Sequence, residues 1–279
     1  MREITSKENK NILVGLMQHI DDVCSSNNIK YSLSGGSFLG AIRHQGFIPW
    51  DDDADIMLTR GNYEILKICL IKEHNPKYVL LTEEDAGYYY QFIKLCDSRT
   101  VLKTLSPIDE NIPYMGVFID IFPIDRLPSD SNTLYKHYAQ VQKLQRNTIF
   151  SVPGLYYQSP KLWKKFLKFF IYGVSAFLIK HAKHAHTTKE WKSITKRELT
   201  KYNNSDGKMG GVLLSEYGKK EIIPYRTFEE YKKISFGSYS FEIISDFNVY
   251  LESLYGDYMT LPPLDKRKPK HAYIEYWKD

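Results

Sequence analysis

A chain of 279 residues and 32.7 kDa is long enough for one large domain, or for one core with a second lobe. Its 43% hydrophobic and 25% charged residues are globular composition and exclude wholesale disorder. The 38 Lys and Arg against 33 Asp and Glu leave a net charge of +5, too mild to indicate a nucleic-acid partner.

Thr5 and Glu8 have the spacing of a capping box, and Ile12, Leu13, Leu16, Met17, Ile20 and Val23 recur at helical spacing. They predict an amphipathic helix running to about Cys24. Tyr31 to Ser34 reads as a short strand, Gly35-Gly36-Ser37 as a tight turn, and Phe38 to Arg43 as a brief helix before an irregular segment ending at Pro49. Asp53 to Leu58 alternates acids with apolar residues and reads as a second strand. A helix over Tyr63–Lys72 and strands over Tyr78–Thr82, Gln91–Leu95 and Gly116–Phe122 follow. This alternation through residue 125 predicts the α/β class, a mixed sheet with helices.

After Pro128 the pattern changes. Residues 130–150 are helical and polar, 160–200 lysine-rich and helical, and 208–255 shorter mixed elements before a proline-rich tail. We therefore expect a core over residues 1–128 and a mainly helical lobe over 129–279, with a tail able to pack back on the core. Cys24, Cys69 and Cys96 are isolated and odd in number, which speaks against a disulfide framework or a CxxC metal site and for a reducing, cytoplasmic setting. The first apolar run, Ile12 to Leu16, is too short for a signal peptide, and no stretch reaches the roughly 18 apolar residues of a spanning helix.

The chemistry concentrates at Asp53-Ala54-Asp55. Residues i and i+2 of a strand face one side, roughly 7 Å apart, where two carboxylates repel by about 2 kcal/mol at an effective dielectric of 20. A divalent cation between them removes that repulsion, and hard carboxylate oxygens without His or Cys point to Mg²⁺ or Mn²⁺. A solvated acidic turn would carry the same residues without a metal. Upstream, the Ser34-Gly35-Gly36-Ser37 turn before a helix lets backbone approach a phosphate at a positive dipole end. Downstream, Asp120 sits alone in the apolar run Val117-Phe118-Ile119-Asp120-Ile121-Phe122. A buried carboxylate requires a partner, a hydrogen bond or a metal, which makes Asp120 the natural third acid.

Glycine turn, D-x-D strand and third acid, in this order, resemble the site pattern of the nucleotidyltransferase superfamily. The stretch from Ser34 to His44 followed by Gly46-Phe47-Ile48-Pro49-Trp50-Asp51-Asp52-Asp53-Ala54-Asp55 narrows the resemblance to the LicD family of phosphocholine transferases, relatives of the fukutin proteins. Phe118 to Asp125 looks like that family too. So does the tail Leu254-Tyr255-Gly256-Asp257-Tyr258-Met259 with Pro262-Pro263 and His271. Residues 130–200 lie outside the resemblance.

The resemblance implies a nucleotidyltransferase-like fold and transfer of phosphocholine from CDP-choline to a sugar hydroxyl of a teichoic acid or lipopolysaccharide type glycan. The acceptor would be a lipid-linked precursor on the cytoplasmic face. Glycerol or ribitol phosphate is the same-chemistry rival, and a nucleotidyltransferase acting on a small molecule the more distant one. In this scheme Asp53 and Asp55 hold the metals, while Asp120 completes the shell and accepts the proton of the acceptor. Gly35, Gly36 and Ser37 cradle a donor phosphate. Arg43 either holds a phosphate or pairs with one of Asp51–Asp53, and Lys94 is a further candidate cation or part of a solvated strand face. Tyr88-Tyr89-Tyr90 and Trp50 offer rings for a quaternary ammonium, with ordinary packing as the alternative. Finally, Phe166 to Ile179 carries one charge and is flanked by Lys161, Lys164, Lys165, Lys180 and Lys183. It reads as an interfacial helix on an anionic bilayer, for peripheral membrane contact, or as a buried helix of the second lobe.

Overall fold

A computed structural model describes residues 1–85, 87–104, 112–152, 170, 173–174, 186–269 and 273–279. Strand β1 (Arg2–Glu3) leads into helix α1 (Ser6–Ser26). The Thr5 hydroxyl accepts from the Glu8 amide at 3.3 Å, and the Glu8 carboxylate accepts from the Thr5 amide at 3.0 Å, so the capping box forms. The apolar stripe of α1 is buried from Ile12 to Cys24, and burying each such side chain contributes about 1.5–3 kcal/mol.

The central layer follows. Strand β2 (Ser32–Leu33), helix α2 (Gly35–His44), strand β3 (Asp55–Thr59), helix α3 (Arg60–Glu73), and strands β4 (Tyr78–Leu81), β5 (Ile93–Asp97), β6 (Thr100–Thr104) and β7 (Phe118–Leu127) come in order. The predicted glycine turn is the first turn of α2 itself. Gly35 has φ +49°, a value glycine adopts without Cβ strain, and it starts the helix immediately after the strand. The sheet runs β2-β3-β7-β5-β4, with β3 and β7 parallel and the other pairs antiparallel. The mixed α/β class is as the alternation implied.

The later described residues comprise helices α4 (Ser131–Ser151) and α5 (Thr188–Leu199), strands β8 (Met209–Gly211), β9 (Ile223–Pro224), β10 (Tyr231–Phe236) and β11 (Tyr239–Ile244), helix α6 (Phe247–Tyr255) and strand β12 (Tyr273–Trp277). Strand β8 pairs with the far end of β7, and β12 runs between β1 and β6, so chain beyond residue 128 is hydrogen-bonded directly to the first 128. A buried ion pair reinforces the join. Arg60 at the start of α3 donates to both oxygens of Asp125 at 2.8 and 2.7 Å, and Asn203 donates to Asp125 at 2.7 Å. Asp125 therefore holds the fold, although it lies in a motif of the resemblance.

Of the apolar stretch 166–179 only Phe170, Gly173 and Val174 are among the described residues, so the proposed interfacial helix lies almost wholly outside them, as do His181, His184 and His271. Among the described residues no helix is long and apolar enough to cross a membrane.

Candidate active site

The parallel pairing of β3 with β7 places Asp55 opposite Asp120, and the antiparallel pairing of β7 with β5 places Lys94 opposite the same Asp120. Directly paired positions on adjacent strands, about 4.8 Å apart, share a face of the sheet, so two acids and one base meet at one level. Lys94 is 3% exposed and donates to Asp120 Oδ1. Its ammonium also lies over the rings of Phe118, Tyr90 and Phe92, with centroids at 3.8, 4.8 and 5.2 Å. Thus Lys94 is neither on a solvated face nor reaching for substrate. It is a buried counter-ion that orients Asp120.

Helix α2 packs its first turn against the acids. The Ser37 hydroxyl accepts from the Asp55 amide at 3.0 Å, which ties that turn to the start of β3. A Cβ on Gly36 would collide with Asp51 Oδ2, and one on Gly35 would lie 3.1 Å from Asp55 Oδ2. The glycines are required because the protein's own carboxylates occupy that approach, at a helix N-terminus whose dipole favours negative charge. One oxygen each from Asp51, Asp52 and Asp53 can lie within 4.8 Å of one another. Helix α1 supports this segment: Asn9 donates to the Asp52 carbonyl at 3.1 Å and Lys10 to the Pro49 carbonyl at 2.9 Å.

The electrostatic consequence falls on Asp55. Burial, and then the negative charges of Asp53, Asp120 and Asp51, push its carboxyl well above the usual carboxylate range, while Lys94 works in the opposite sense. Like-charged groups so arranged are relieved by a bound cation. The donors are carboxylate oxygens alone, which suits a hard divalent ion such as Mg²⁺ or Mn²⁺. Among the described residues, the acids whose oxygens converge closely enough for one ion are Asp51, Asp52 and Asp53, while Asp55 and Asp120 stand paired beside them on the sheet.

These residues open into a cleft of about 450 Å³. Gly35, Asp53, Asp55 and Asp120 line one side, and Tyr89, Tyr90, Phe92 and Phe122 form an aromatic wall. Tyr89 and Tyr90 stack at 4.2 Å, and Phe92 meets Phe122 at 4.5 Å. Tyr88 is instead fully buried and donates to the Phe92 carbonyl at 2.8 Å, so only part of the tyrosine triplet faces the cleft. Two sequence candidates are not brought in. Arg43 donates to the carbonyls of Tyr258 at 2.8 Å and Thr260 at 3.4 Å, where it fastens the tail rather than a phosphate or an acid. Trp50 lies under Arg267, 5.6 Å from its ring centroid, and edge-on to His44.

The remaining wall comes from a part of the chain that sequence reasoning left blank: Gln142 and Gln145 of α4, and Ser215, Glu216, Tyr217 and Glu221 after β8. No local signal marks them, because their proximity to the acids arises from the β7–β8 pairing. Tyr273 was missed as well. Burial and the charges of Asp52, Asp53, Glu275 and Asp120 push its hydroxyl far up, a sign of how close β12 brings it to the acidic segment.

The LicD/FKTN/FKRP nucleotidyltransferase domain matches residues 28–163. Over 280 aligned residues, 99% of either chain, the sequence is 28% identical to the lipopolysaccharide cholinephosphotransferase LicD of Haemophilus influenzae. A 44-residue stretch is 52% identical to uncharacterized proteins of Rickettsia prowazekii and Rickettsia typhi, covering 16% of this chain and 16% and 14% of theirs.

Proposed function

From the match of residues 28–163 to the LicD/FKTN/FKRP domain and the full-length similarity to a lipopolysaccharide cholinephosphotransferase, we propose that the chain is a LicD-family enzyme that transfers phosphocholine from CDP-choline to a hydroxyl of a lipopolysaccharide-type glycan, with Mg²⁺ or Mn²⁺ held by Asp53, Asp55 and Asp120. The observation that carries this reading is the register of Asp55 with Asp120 across β3 and β7, beside Asp53 and against the N-terminus of α2. A bound divalent ion would neutralise the diphosphate and the charge that develops on the departing CMP. The protein's own groups do the positioning. The acceptor oxygen forms its bond to phosphorus as the phosphorus–oxygen bond to CMP breaks, and that electron pair leaves with CMP. Asp120, oriented by Lys94, takes the hydroxyl proton. The acceptor is a lipid-linked precursor, so the enzyme works against the cytoplasmic face of a membrane.

The test is release of CMP from CDP-choline, CDP-glycerol and CDP-ribitol, with a deacylated lipopolysaccharide acceptor, in Mg²⁺ and in chelator. We expect acceptor-dependent release from CDP-choline in Mg²⁺ alone. Release from CDP-glycerol or CDP-ribitol in preference to CDP-choline would overturn the choline assignment, and undiminished release in chelator would overturn the metal.

A further inference from the structure

Five acids line the cleft, Asp53, Asp55, Asp120, Glu216 and Glu221, and among the described residues no Lys or Arg does. A metal accounts for the three aspartates. It does not account for Glu221, which ends the short turn Gly218–Glu221 and is only 2% exposed. Its Oε2 has no hydrogen-bond partner among the described residues, while the hydroxyls of Ser215 and Tyr250 bond its carboxyl. An enclosed carboxylate with an unmatched oxygen is costly, and among the described residues Glu221 has no salt-bridge partner.

Its surroundings indicate what would match it. The Tyr250 hydroxyl also accepts from the Gly35 amide at 3.2 Å, so Glu221 lies one side chain away from the glycine turn that touches Asp55. The Tyr217 ring stands in the same place: a Cβ on Gly35 would be 3.8 Å from its Cε2, and its hydroxyl is fixed by Tyr255 at 2.6 Å. This part of the cleft therefore combines an acid and a ring beside the glycine turn and Asp55. A quaternary ammonium brings positive charge without any N–H donor, and it is stabilised by a carboxylate and an aromatic face together. Such a group draws the enclosed carboxyl into its charged form, the proton passing to solvent, and leaves Oε2 without a hydrogen bond yet electrostatically matched. Tyr90 and Phe92 already face the Lys94 ammonium at 4.8 and 5.2 Å, whereas among the described residues no cation lies over the Tyr217 ring.

We propose that Glu221 and Tyr217, with Glu216 beside them, bind the trimethylammonium end of the transferred group and thereby select choline over uncharged alcohols. The proposal rests on the phosphocholine transferase reading. Its reach is consistent with the ligand, since two carbons separate the phosphate ester oxygen from the ammonium nitrogen.

The experiment compares two ligands of one shape, phosphocholine and 3,3-dimethylbutyl phosphate, whose quaternary carbon replaces the charged nitrogen. Each is titrated calorimetrically in Mg²⁺ into the full chain, as wild type, Glu221→Gln and Tyr217→Leu. Wild type should prefer phosphocholine by about tenfold or more, the scale of a desolvated cation–π and ion pairing. Glu221→Gln should bind both ligands alike, at the wild-type affinity for the neutral one, and Tyr217→Leu should narrow the preference. A preference that survives in both variants overturns the proposal. So does equal weakening of both ligands, which would mark Glu221 as structural. Wild-type turnover of CDP-glycerol in place of CDP-choline would instead sink the underlying reading, and this inference with it.

Discussion

Replacing Glu221 with Gln should stabilise the free protein while removing its discrimination for charge. Burial pushes the Glu221 carboxyl from 4.5, where an exposed glutamate titrates, up to about 8, against the favourable hydrogen bonds from Ser215 and Tyr250. Tyr250 bonds it and Tyr217 feels its charge, and neither supplies a positive charge; Lys220, next to it in the chain, donates instead to the Leu254 carbonyl. Between those two pH values the folded chain keeps a proton that the unfolded chain has released. Stability contributed by this group is therefore intact below pH 4.5, falls by about 1.4 kcal/mol per pH unit across the window, and is level above pH 8. The whole span is worth about 5 kcal/mol, an upper value because Gln must still be buried. Glu221→Gln cannot titrate, so its advantage over wild type should be near zero at pH 4.5 and largest at pH 8–9. In a chain of this size that corresponds to a gap in melting temperature on the order of 10 °C. Thermal unfolding of both proteins from pH 4.5 to 9, in chelator so that metal binding does not contribute, reads the gap directly. A gap that does not widen with pH, or a less stable variant at pH 9, would refute an enclosed and unmatched carboxylate. Added phosphocholine should raise the wild-type melting point and close the gap from the other side.

Other expectations follow from the same geometry. Asp53→Asn and Asp120→Asn should each lower CMP release by about two to three orders of magnitude, the scale of a lost electrostatic stabiliser; near-normal turnover would remove that residue from the site. Asp55→Asn should be equally inactive, yet melt higher than wild type in chelator, because it removes the carboxylate most disfavoured by burial and by Asp53, Asp120 and Asp51. Gly36→Ala should weaken Mn²⁺ binding, followed by titration, because the added Cβ must displace the Asp51 carboxylate. Asp125→Ala should lower the unfolding free energy by about 3 kcal/mol in a denaturant titration, since it leaves the buried Arg60 guanidinium with Glu64 as its remaining acid. Activity per folded molecule should be retained, as Asp125 lies off the reacting centre.

The parts of this protein that could be read from the sequence are those written in local periodicity. Thr5, Glu8 and the apolar stripe behind them specify α1 without reference to anything else, whereas the strand predicted from Asp53 begins only at Asp55, so the two acids do not share one strand, and β3 is buried through its middle rather than alternately. Asp120 could be found because burying a lone acid in an apolar strand is unreasonable unless it has chemistry, and Asp53 and Asp55 because two carboxylates at that spacing repel unless a cation joins them. What could not be read is what depends on pairing partners far along the chain. Strand β12 is five residues after a proline-rich tail, and its place between β1 and β6 follows from register with segments some 170 and 270 residues away. Lys94 illustrates the same limit. Its position on a strand was legible, but its enclosure by Phe118, Tyr90 and Phe92 and its pairing with Asp120 arise only when β5 is laid against β7.

That division has a functional counterpart. The acids, the glycine turn and Lys94 all fall within residues 28–163, the span shared with the family domain. Tyr217 and Glu221 fall outside it, brought to the cleft by β8 pairing with β7 and held there by Tyr250 and Tyr255 near the end of α6. Phosphoryl transfer demands the same charge neutralisation whatever alcohol is moved, so the first group is constrained by the reaction. In the proposed reading the second group meets only the part of the donor that differs between one alcohol and another. A site divided in this way can change its alcohol through residues 214–221 and their supports without disturbing Asp53, Asp55 or Asp120. For this chain, with an acid and a ring in that wall, the division favours a cation.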